Sequence, residues 1–250
     1  MLALILACTD YELGTLGDEQ VADTDVAERP GDEADEPVED EPEPPEEEPE
    51  DSGWPLDEPD WCTAFDDFST WAYFGDGNWY IDGGVLRENR GGYYATTAYV
   101  DQDFGQVGGF WLEASSSWDG SLNDYTGFVL DLDTAAGTYW VVRVDDPQGD
   151  YGRYVPTGRM ELAWCEGMDE GGSCTVVASS HDADLRIPSD GTWVDWLVRV
   201  DSGQLSVSWN GTVVLDVEVP ELTGPGLVGL YSNDNDGGVR FDDFCVGLVD

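Results

Sequence analysis

Apolar and polar residues alternate with a period of two along the C-terminal part of the chain, from Gly191 to Val246. Leu205, Val207 and Trp209 alternate with serines, and Asn210-Gly211 separates this run from the next one. Side chains of a strand alternate between two faces, and Asn-Gly suits the type I′ turn of a two-residue hairpin. This stretch therefore predicts five consecutive antiparallel strands.

Short runs of the same kind fill the rest of the chain from Trp61 onward, separated by clusters of glycine, aspartate and asparagine. Val, Thr, Trp and Tyr are abundant in them, and no window sustains a helical period. Before the closing five, the pattern predicts strands near residues 62–68, 78–82, 84–88, 93–100, 108–117, 125–133, 138–145, 157–165 and 174–180. So many short strands in one domain are typical of an all-β fold, a two-sheet antiparallel β-sandwich.

The composition before residue 61 is different. Up to residue 60 the chain carries 23 acidic residues against one arginine, together with eight of its 13 prolines. High charge with little apolar surface leaves nothing to offset chain entropy, so residues 8–60 are predicted to form a disordered acidic linker. Over all 250 residues the net charge is −46, and a charge of this sign excludes nucleic acid as a partner.

The chain begins with a short apolar run that ends in Ile5-Leu6-Ala7-Cys8 and resembles a bacterial lipobox. The resemblance implies cleavage before Cys8 and acylation of its sulfur, so residues 1–7 are expected to be a truncated lipoprotein signal peptide. The expected location is the bacterial cell envelope, lipid-anchored and either periplasmic or surface-exposed, with the anchor as the only membrane contact. A chance match at a cytoplasmic N-terminus is the alternative.

Several motifs within residues 61–250 resemble the concanavalin A-like, laminin-G-like jelly-roll superfamily. These motifs are the Asn210-Gly211 hairpin, the strand Gly226-Leu-Val-Gly-Leu-Tyr231, the closing Phe241-Asp-Asp-Phe244, and the earlier Phe65-Asp-Asp-Phe68 and Gly84-Val-Leu86. The resemblance implies a single jelly-roll domain over residues 61–250. It does not fix the activity, because the superfamily contains lectins, glycoside hydrolases and adhesive modules.

Four cysteines remain if Cys8 carries a lipid: Cys62, Cys165, Cys174 and Cys245. An even number in an exported domain predicts two disulfides, with three connectivities open. Cys165 and Cys174 bracket a glycine-rich loop at hairpin spacing. The jelly-roll resemblance places the first and last strands side by side, which implies the pair Cys62–Cys245, and the expected second pair is Cys165–Cys174.

Glucanases of this superfamily carry an E-x-D-x-x-E strand motif, which is missing here. Glu161 and Glu166 have the outer spacing, but Ala163 stands in place of the aspartate. Asp131 and Asp133 are predicted to face one way on a strand, without a third carboxylate. We therefore expect no catalytic residue and a non-catalytic binding domain. An enzyme with a non-standard carboxylate pair such as Asp131 and Asp133, or a purely structural surface domain, is the alternative.

Aromatic rings that stack on sugars, and polar side chains that bind hydroxyl groups, are the candidate ligand-binding residues. The rings of Trp111, Trp118, Tyr125 and Trp140 lie on strands that are expected to be adjacent. Asp119 and Asn123 lie in the turn between two of these strands. Trp118 is expected to be exposed because it precedes an Asp-Gly turn. The expected partner is a glycan or a cell-surface protein.

A structural Ca²⁺ ion is a further candidate ligand. Asp234 and Asp236 lie in a short oxygen-rich loop, although the residue types of that loop are also good turn formers. The resemblance suggests a second site near the paired termini, where Asp67 would lie opposite Arg240 with Asp242 as a diagonal neighbour. An ion pair between Asp67 and Arg240 is the competing expectation.

Overall fold

The computed structural model describes residues 58–75, 77–89, 96–106, 108–118, 125–145, 158–168, 172–181, 185, 188, 191–233 and 238–249. These residues form 15 β-strands and no helix, so an all-β fold is confirmed. The described part of the chain accordingly has no helix long and apolar enough to cross a membrane. The expectations for the signal peptide, Cys8 and the linker up to residue 57 lie outside the described residues.

The strands are short, as their spacing in the sequence predicts. They are β1 (Trp61–Thr63), β2 (Trp71–Phe74), β3 (Trp79–Asp82), β4 (Val85–Glu88), β5 (Thr96–Val100), β6 (Gly109–Trp118), β7 (Tyr125–Asp133), β8 (Thr138–Asp145), β9 (Arg159–Glu166), β10 (Ser173–His181), β11 (Val194–Asp201), β12 (Gln204–Trp209), β13 (Thr212–Glu218), β14 (Leu227–Asn233) and β15 (Val239–Val249). The five closing strands β11–β15 are the five that the alternating pattern predicts.

The strands form two antiparallel sheets. Sheet A has the order β13-β12-β11-β6-β15-β4-β3, and β1 also pairs with β15. Sheet B has the order β10-β9-β8-β7-β14-β5-β2. The predicted strand at 62–68 is wrong in extent, because Phe65 has a φ of 50° and this left-handed conformation ends the extended chain. Strand β2, which was not predicted, follows instead.

The core lies between the inner faces of the two sheets and is rich in tryptophan. Trp118 of sheet A stacks on Trp209 with 6.1 Å between ring centroids, and its Nε1 donates a hydrogen bond to Thr126 Oγ1 at 3.2 Å. Trp196 Nε1 donates to Ser116 Oγ at 2.6 Å. Each of these indoles therefore buries its ring while its polar N–H group has a partner, which avoids the cost of an unpaired buried donor.

Two disulfides fasten the sandwich. Cys62–Cys245 joins β1 to β15 over a sequence separation of 183 residues, and Cys165–Cys174 joins β9 to β10 over 9 residues. In both cases the two cysteines are directly paired in the strand register. Both disulfides are therefore those expected from the sequence.

Sheet B curves around its outer face, the face turned away from sheet A. Phe74 of β2 and Tyr139 of β8 both belong to the apolar cluster on that face, and their ring centroids are 5.7 Å apart. Strands β5, β14 and β7 lie between them, so a flat sheet would separate β2 from β8 by about 19 Å. The outer face of sheet B is therefore concave.

Candidate functional site

The concave face of sheet B is divided into a polar and an apolar half. Towards the start of β7, the aligned outer-face positions on β14, β7, β8 and β9 are Tyr231, Gly127, Arg143 and Glu161. Two residues further along, the corresponding positions on β7, β8 and β9 are Val129, Val141 and Ala163. The polar half is thus the part of this face that can bind polar groups.

Charged side chains in the polar half form one network around Glu161. Arg143 donates two hydrogen bonds to Glu161 Oε2, from Nε at 3.0 Å and from Nη2 at 2.9 Å. Arg159 Nε lies 2.9 Å from the other carboxylate oxygen, Oε1. Arg143 and Glu161 are 6% and 2% exposed, whereas the side chain of Arg159 is 28% exposed. Two guanidinium groups therefore hold a buried carboxylate from both sides.

Tyrosine rings complete the network. The guanidinium carbon of Arg143 lies 3.6 Å from the centroid of the Tyr125 ring, within the range of a cation–π contact. Burial acts to lower the pKa of Arg143, but Tyr231 and the hydrogen bond to Glu161 outweigh it and the net shift is upward. For the Tyr139 phenol, burial acts in the same direction as the nearby Tyr231, and both raise its pKa. Arg143 therefore stays charged and the Tyr139 phenol stays neutral.

We call Tyr125, Arg143, Arg159 and Glu161 the Arg143 cluster. Replacing a buried ion pair by apolar residues is often neutral or stabilising, so stability alone does not account for such a network on an outer face. Tyr125 is half-buried and Arg159 is partly exposed, so a ring and a guanidinium are accessible at its edge. An aromatic ring beside fixed donors and acceptors is suited to a ligand that has both apolar and polar groups.

Comparison with solved structures identifies the fold. The CBM66 carbohydrate-binding module of Bacillus subtilis matches with a TM-score of 0.53 at 11% identity, over 71% of this chain and 95% of that chain. The lumenal domain of VIP36 matches with 0.54 at 12%, over 74% and 86%. A Bacillus subtilis protein with a galectin-like fold matches with a TM-score of 0.54 at 13% identity, over 78% of this chain and 97% of that chain. The chain has a lectin-like β-sandwich fold. No protein-family model and no curated protein sequence matches it.

One aromatic residue of the predicted ligand site lies in the Arg143 cluster of this lectin-like domain, namely Tyr125. Trp118 is fully buried, so the expectation that it is exposed is wrong: β6 continues through Trp118 and directs its ring into the core. Trp140 also lies in the core, where its ring meets Trp164 at 5.1 Å. Neither Trp118 nor Trp140 is on an outer face.

Trp111 lies in the other sheet. Strand β6 belongs to sheet A and β7 and β8 belong to sheet B, so the expected neighbourhood of the four aromatic residues is wrong. The Trp111 ring is 3% exposed and covers Gly247, its partner in β15. The turn residues Asp119 and Asn123 lie outside the described residues.

Asp131 and Asp133 do not form a strand-borne pair of the expected kind. A register shift lies between Leu130 and Asp133, and Asp131 has a φ of 48°, so the alternation assumed for β7 is interrupted. Asp131 Oδ1 accepts a hydrogen bond from Gln106 at 3.2 Å, and Asp133 Oδ1 accepts bonds from the backbone N–H groups of Ala135 and Ala136. The two carboxylates fasten a loop and a turn.

The expected pairing of Asp67 with Arg240 is also wrong. Strand β1 ends at Thr63, and the residue paired with Arg240 on that side of β15 is Arg87 of β4. The Asp67 carboxylate instead accepts hydrogen bonds from the backbone N–H and the hydroxyl of Ser69, and these lower its pKa. Asp242 is half-buried on β15.

The described residues do not support the expected calcium site. Among them, no three His, Cys, Asp or Glu side chains are close enough together to hold a metal ion. Asp234 and Asp236, the loop candidates, lie outside the described residues. The sequence prediction for that loop therefore stays a prediction.

The charged members of the Arg143 cluster are absent from the sequence-based candidates. Alternation along β8 and β9 does place Arg143 and Glu161 on the face turned away from the apolar residues Val142 and Leu162. This pattern could have identified the two charged residues from the sequence. Their contact additionally needs the register of β8 with β9, in which Arg143 and Glu161 are directly paired. That register depends on a loop whose length the sequence pattern leaves undefined.

Proposed function

We propose that this lectin-like domain binds carbohydrate without catalysis, through the Arg143 cluster on the concave face of sheet B. The observation that carries the proposal is the packing of the Tyr125 ring against Arg143, which together with Arg159 fixes Glu161. A sugar residue has hydroxyl groups around its ring and apolar C–H faces. The cluster offers the half-buried Tyr125 ring with the partly exposed Arg159 guanidinium beside it, and the buried Arg143–Glu161 pair holds both in position before a ligand arrives.

The structural neighbours support this proposal through their fold. CBM66 is a carbohydrate-binding module, the VIP36 domain was solved in a form bound to Ca²⁺ and Man3GlcNAc, and the Emp46p domain is a carbohydrate recognition domain. The Emp46p domain matches with a TM-score of 0.52 at 10% identity. Since fold does not fix function, the proposal rests on the Arg143 cluster, and the experiment below tests it.

The test is a glycan array probed with the full chain and its variants. We expect binding to at least one glycan, and a loss of affinity of about five- to thirtyfold in Tyr125→Ala and in Arg159→Gln, because each removes an interaction of roughly 1–2 kcal/mol. Tyr73→Ala is the matched control, because Tyr73 is 59% exposed on the edge strand β2 of the same sheet. Tyr73→Ala should bind as the wild type does.

Two results would refute the assignment of the cluster. In the first, both cluster variants keep wild-type affinity for every glycan bound. In the second, no glycan on a broad array is bound by the folded wild-type chain, which would also refute carbohydrate binding itself. Circular dichroism before and after each measurement establishes that the variants compared are folded.

We propose in addition that the protein is anchored to the bacterial envelope through Cys8. The motif Ile5-Leu6-Ala7-Cys8 supports this, since a small residue before the cysteine and a thiol at the first mature position are what lipoprotein processing needs. Radiolabelled palmitate should enter the full chain in bacteria and should not enter Cys8→Ser. Equal labelling of the two proteins would contradict the proposal.

A further inference from the structure

Strand β10 is an open edge of sheet B. Among the described strands it pairs only with β9, so one side of its backbone forms no strand pair. Such an edge presents N–H and C=O groups that can pair with another strand. The disulfide Cys165–Cys174 fastens β10 to β9 and holds this edge in its extended form.

Strand β10 lacks the features that protect the other sheet edges from pairing. Strands β1, β2 and β3 have only three or four residues each. Strand β13 has seven residues but carries Asp216 and Glu218. Strand β10 has nine residues, and none of them is Asp, Glu, Lys or Arg. Because short length and charge are usual means by which native edge strands avoid association, β10 is the described edge best suited to it.

Exposed apolar side chains lie in the middle of β10. Val176 is 44% exposed and Val177 is 50% exposed. A β-bulge lies between Val176 and Ala178, so Val177 has no partner on β9. A bulge bends a strand, but four residues on each side of it, Ser173–Val176 and Ala178–His181, are paired with β9. Two paired halves therefore flank an exposed valine.

The charge of the chain indicates which partner fits this edge. The net charge is −46, so a basic partner would bind an acidic surface of the domain rather than an uncharged one. An uncharged edge suits a partner that is itself acidic, and a second copy of this chain meets that condition. Glu161, which is directly paired with Ser179 of β10, is neutralised by Arg143 and Arg159. Two copies can therefore approach each other at β10 with less repulsion than at an acidic edge such as β13.

We propose that β10 pairs antiparallel with β10 of a second copy of this chain and so forms a homodimer. An antiparallel pair of identical strands has two-fold symmetry, so each half of one strand pairs with the other half of its counterpart. With the axis at Val177, Ser173–Val176 lies opposite Ala178–His181, and the two copies of Val177 meet at the axis. The two sheets B then form one continuous sheet.

Dimerisation through β10 would also bring together two copies of the Arg143 cluster, which lies on β7, β8 and β9 of the same sheet. If the cluster binds glycan as proposed above, a surface that displays many glycans is bound at two points, and the avidity exceeds the affinity of a single cluster. The dimer itself does not rest on the proposed function, because its formation is measured without a glycan.

The test is sedimentation velocity of the full chain at protein concentrations up to about 100 μM and about 0.15 M salt. We expect the wild type to sediment as a dimer in equilibrium with monomer. Val177→Lys should weaken the dimer at least tenfold, because the axis brings the two lysines together and like charges at paired positions oppose strand pairing. Lysine also lowers the net negative charge of each copy, so long-range repulsion cannot account for a weaker dimer. Since Val177 is half exposed, its replacement leaves the core intact.

Val213→Lys is the matched control, because Val213 is 52% exposed on the edge strand β13 and the change in charge is the same. It should dimerise as the wild type does. In a second measurement, mild oxidation should link two copies of Val177→Cys by a disulfide, whereas Val213→Cys should remain unlinked.

Two results would overturn the proposal. In the first, the wild-type chain is monomeric at every concentration, which would leave the β10 edge to a different partner. In the second, Val177→Lys leaves the dimer intact or weakens it no more than Val213→Lys does, which would place the dimer interface elsewhere.

Discussion

Gly247→Ala is the substitution for which the structure gives the sharpest expectation. Gly247 lies in β15 under the ring of Trp111, and a Cβ atom at Gly247 would be 2.2 Å from Trp111 Cε2 and 2.3 Å from Nε1. Such distances are not reached in proteins, so the ring would have to move. The ring is 3% exposed, and its displacement would disturb the packing around β6.

The expected cost follows from two opposing contributions. Overpacking a well-packed site costs about 1–3 kcal/mol. Replacing glycine by alanine within a strand recovers about 0.5–1 kcal/mol of chain entropy. The net loss of unfolding free energy is therefore about 0–2.5 kcal/mol, with a midpoint of roughly 1.3 kcal/mol, and each kcal/mol lost lowers the melting temperature of a domain of this size by roughly 2–4 °C.

The measurement is urea unfolding of the full chain, followed by tryptophan fluorescence. Gly108→Ala is the matched control, because a Cβ atom at Gly108 would meet no atom within 4 Å. The control should change the unfolding free energy by less than about 0.5 kcal/mol. A shift in the midpoint without a change in slope would show that stability alone has changed.

A double-mutant cycle decides whether Trp111 is the cause. Trp111→Ala removes the ring that the new methyl group would meet, so Gly247→Ala should cost nothing, or be slightly stabilising, in that background. The coupling energy between the two substitutions should be about 2 kcal/mol. An equal cost of Gly247→Ala with and without Trp111 would show that the ring is not the cause, and so would a cost no greater than that of Gly108→Ala.

Two further predictions concern stability. Replacing both cysteines of Cys62–Cys245 by serine should cost about 5 kcal/mol of unfolding free energy, and the same change at Cys165–Cys174 should cost about 2.6 kcal/mol. The costs differ because the two disulfides close loops of 183 and 9 residues. Equal losses in the two double variants would contradict this. Burial raises the pKa of Asp131 above 3.8, so its ionisation opposes folding once the pH exceeds that value. Asp131→Asn should therefore stabilise the domain at neutral pH and lose this advantage below about pH 3.8, and a pH-independent difference would contradict the stated cause.

The strands were predictable because their signal is local. Alternation, Asn-Gly and glycine clusters act over a few residues, and Asn210 and Gly211 have the positive φ angles, 48° and 78°, that a type I′ turn needs. The end of β1 was not predictable in this way. Phe65 takes a left-handed conformation that no residue type in Phe65-Asp-Asp-Phe68 indicates, and the strand stops before it.

The candidate site was less predictable because a period of two assigns a face but not a sheet. Trp118 and Trp140 alternate correctly with their neighbours and both face the core, from opposite sheets. Trp193 lies within the stretch that alternation predicts to form strands, yet it precedes β11 and is exposed. The contact of Arg143 with Glu161 is made between two strands, and it depends on their register, which the local pattern does not determine.

The acidity of the chain bears on the charge of the ligand that the Arg143 cluster can bind. The net charge of −46 repels a polyanion at long range, and at physiological ionic strength the screening length is about 8 Å. A neutral glycan has no long-range repulsion to overcome, so its affinity for the Arg143 cluster should vary little with salt concentration. A steep dependence of the measured affinity on salt would contradict binding of a neutral glycan at this cluster.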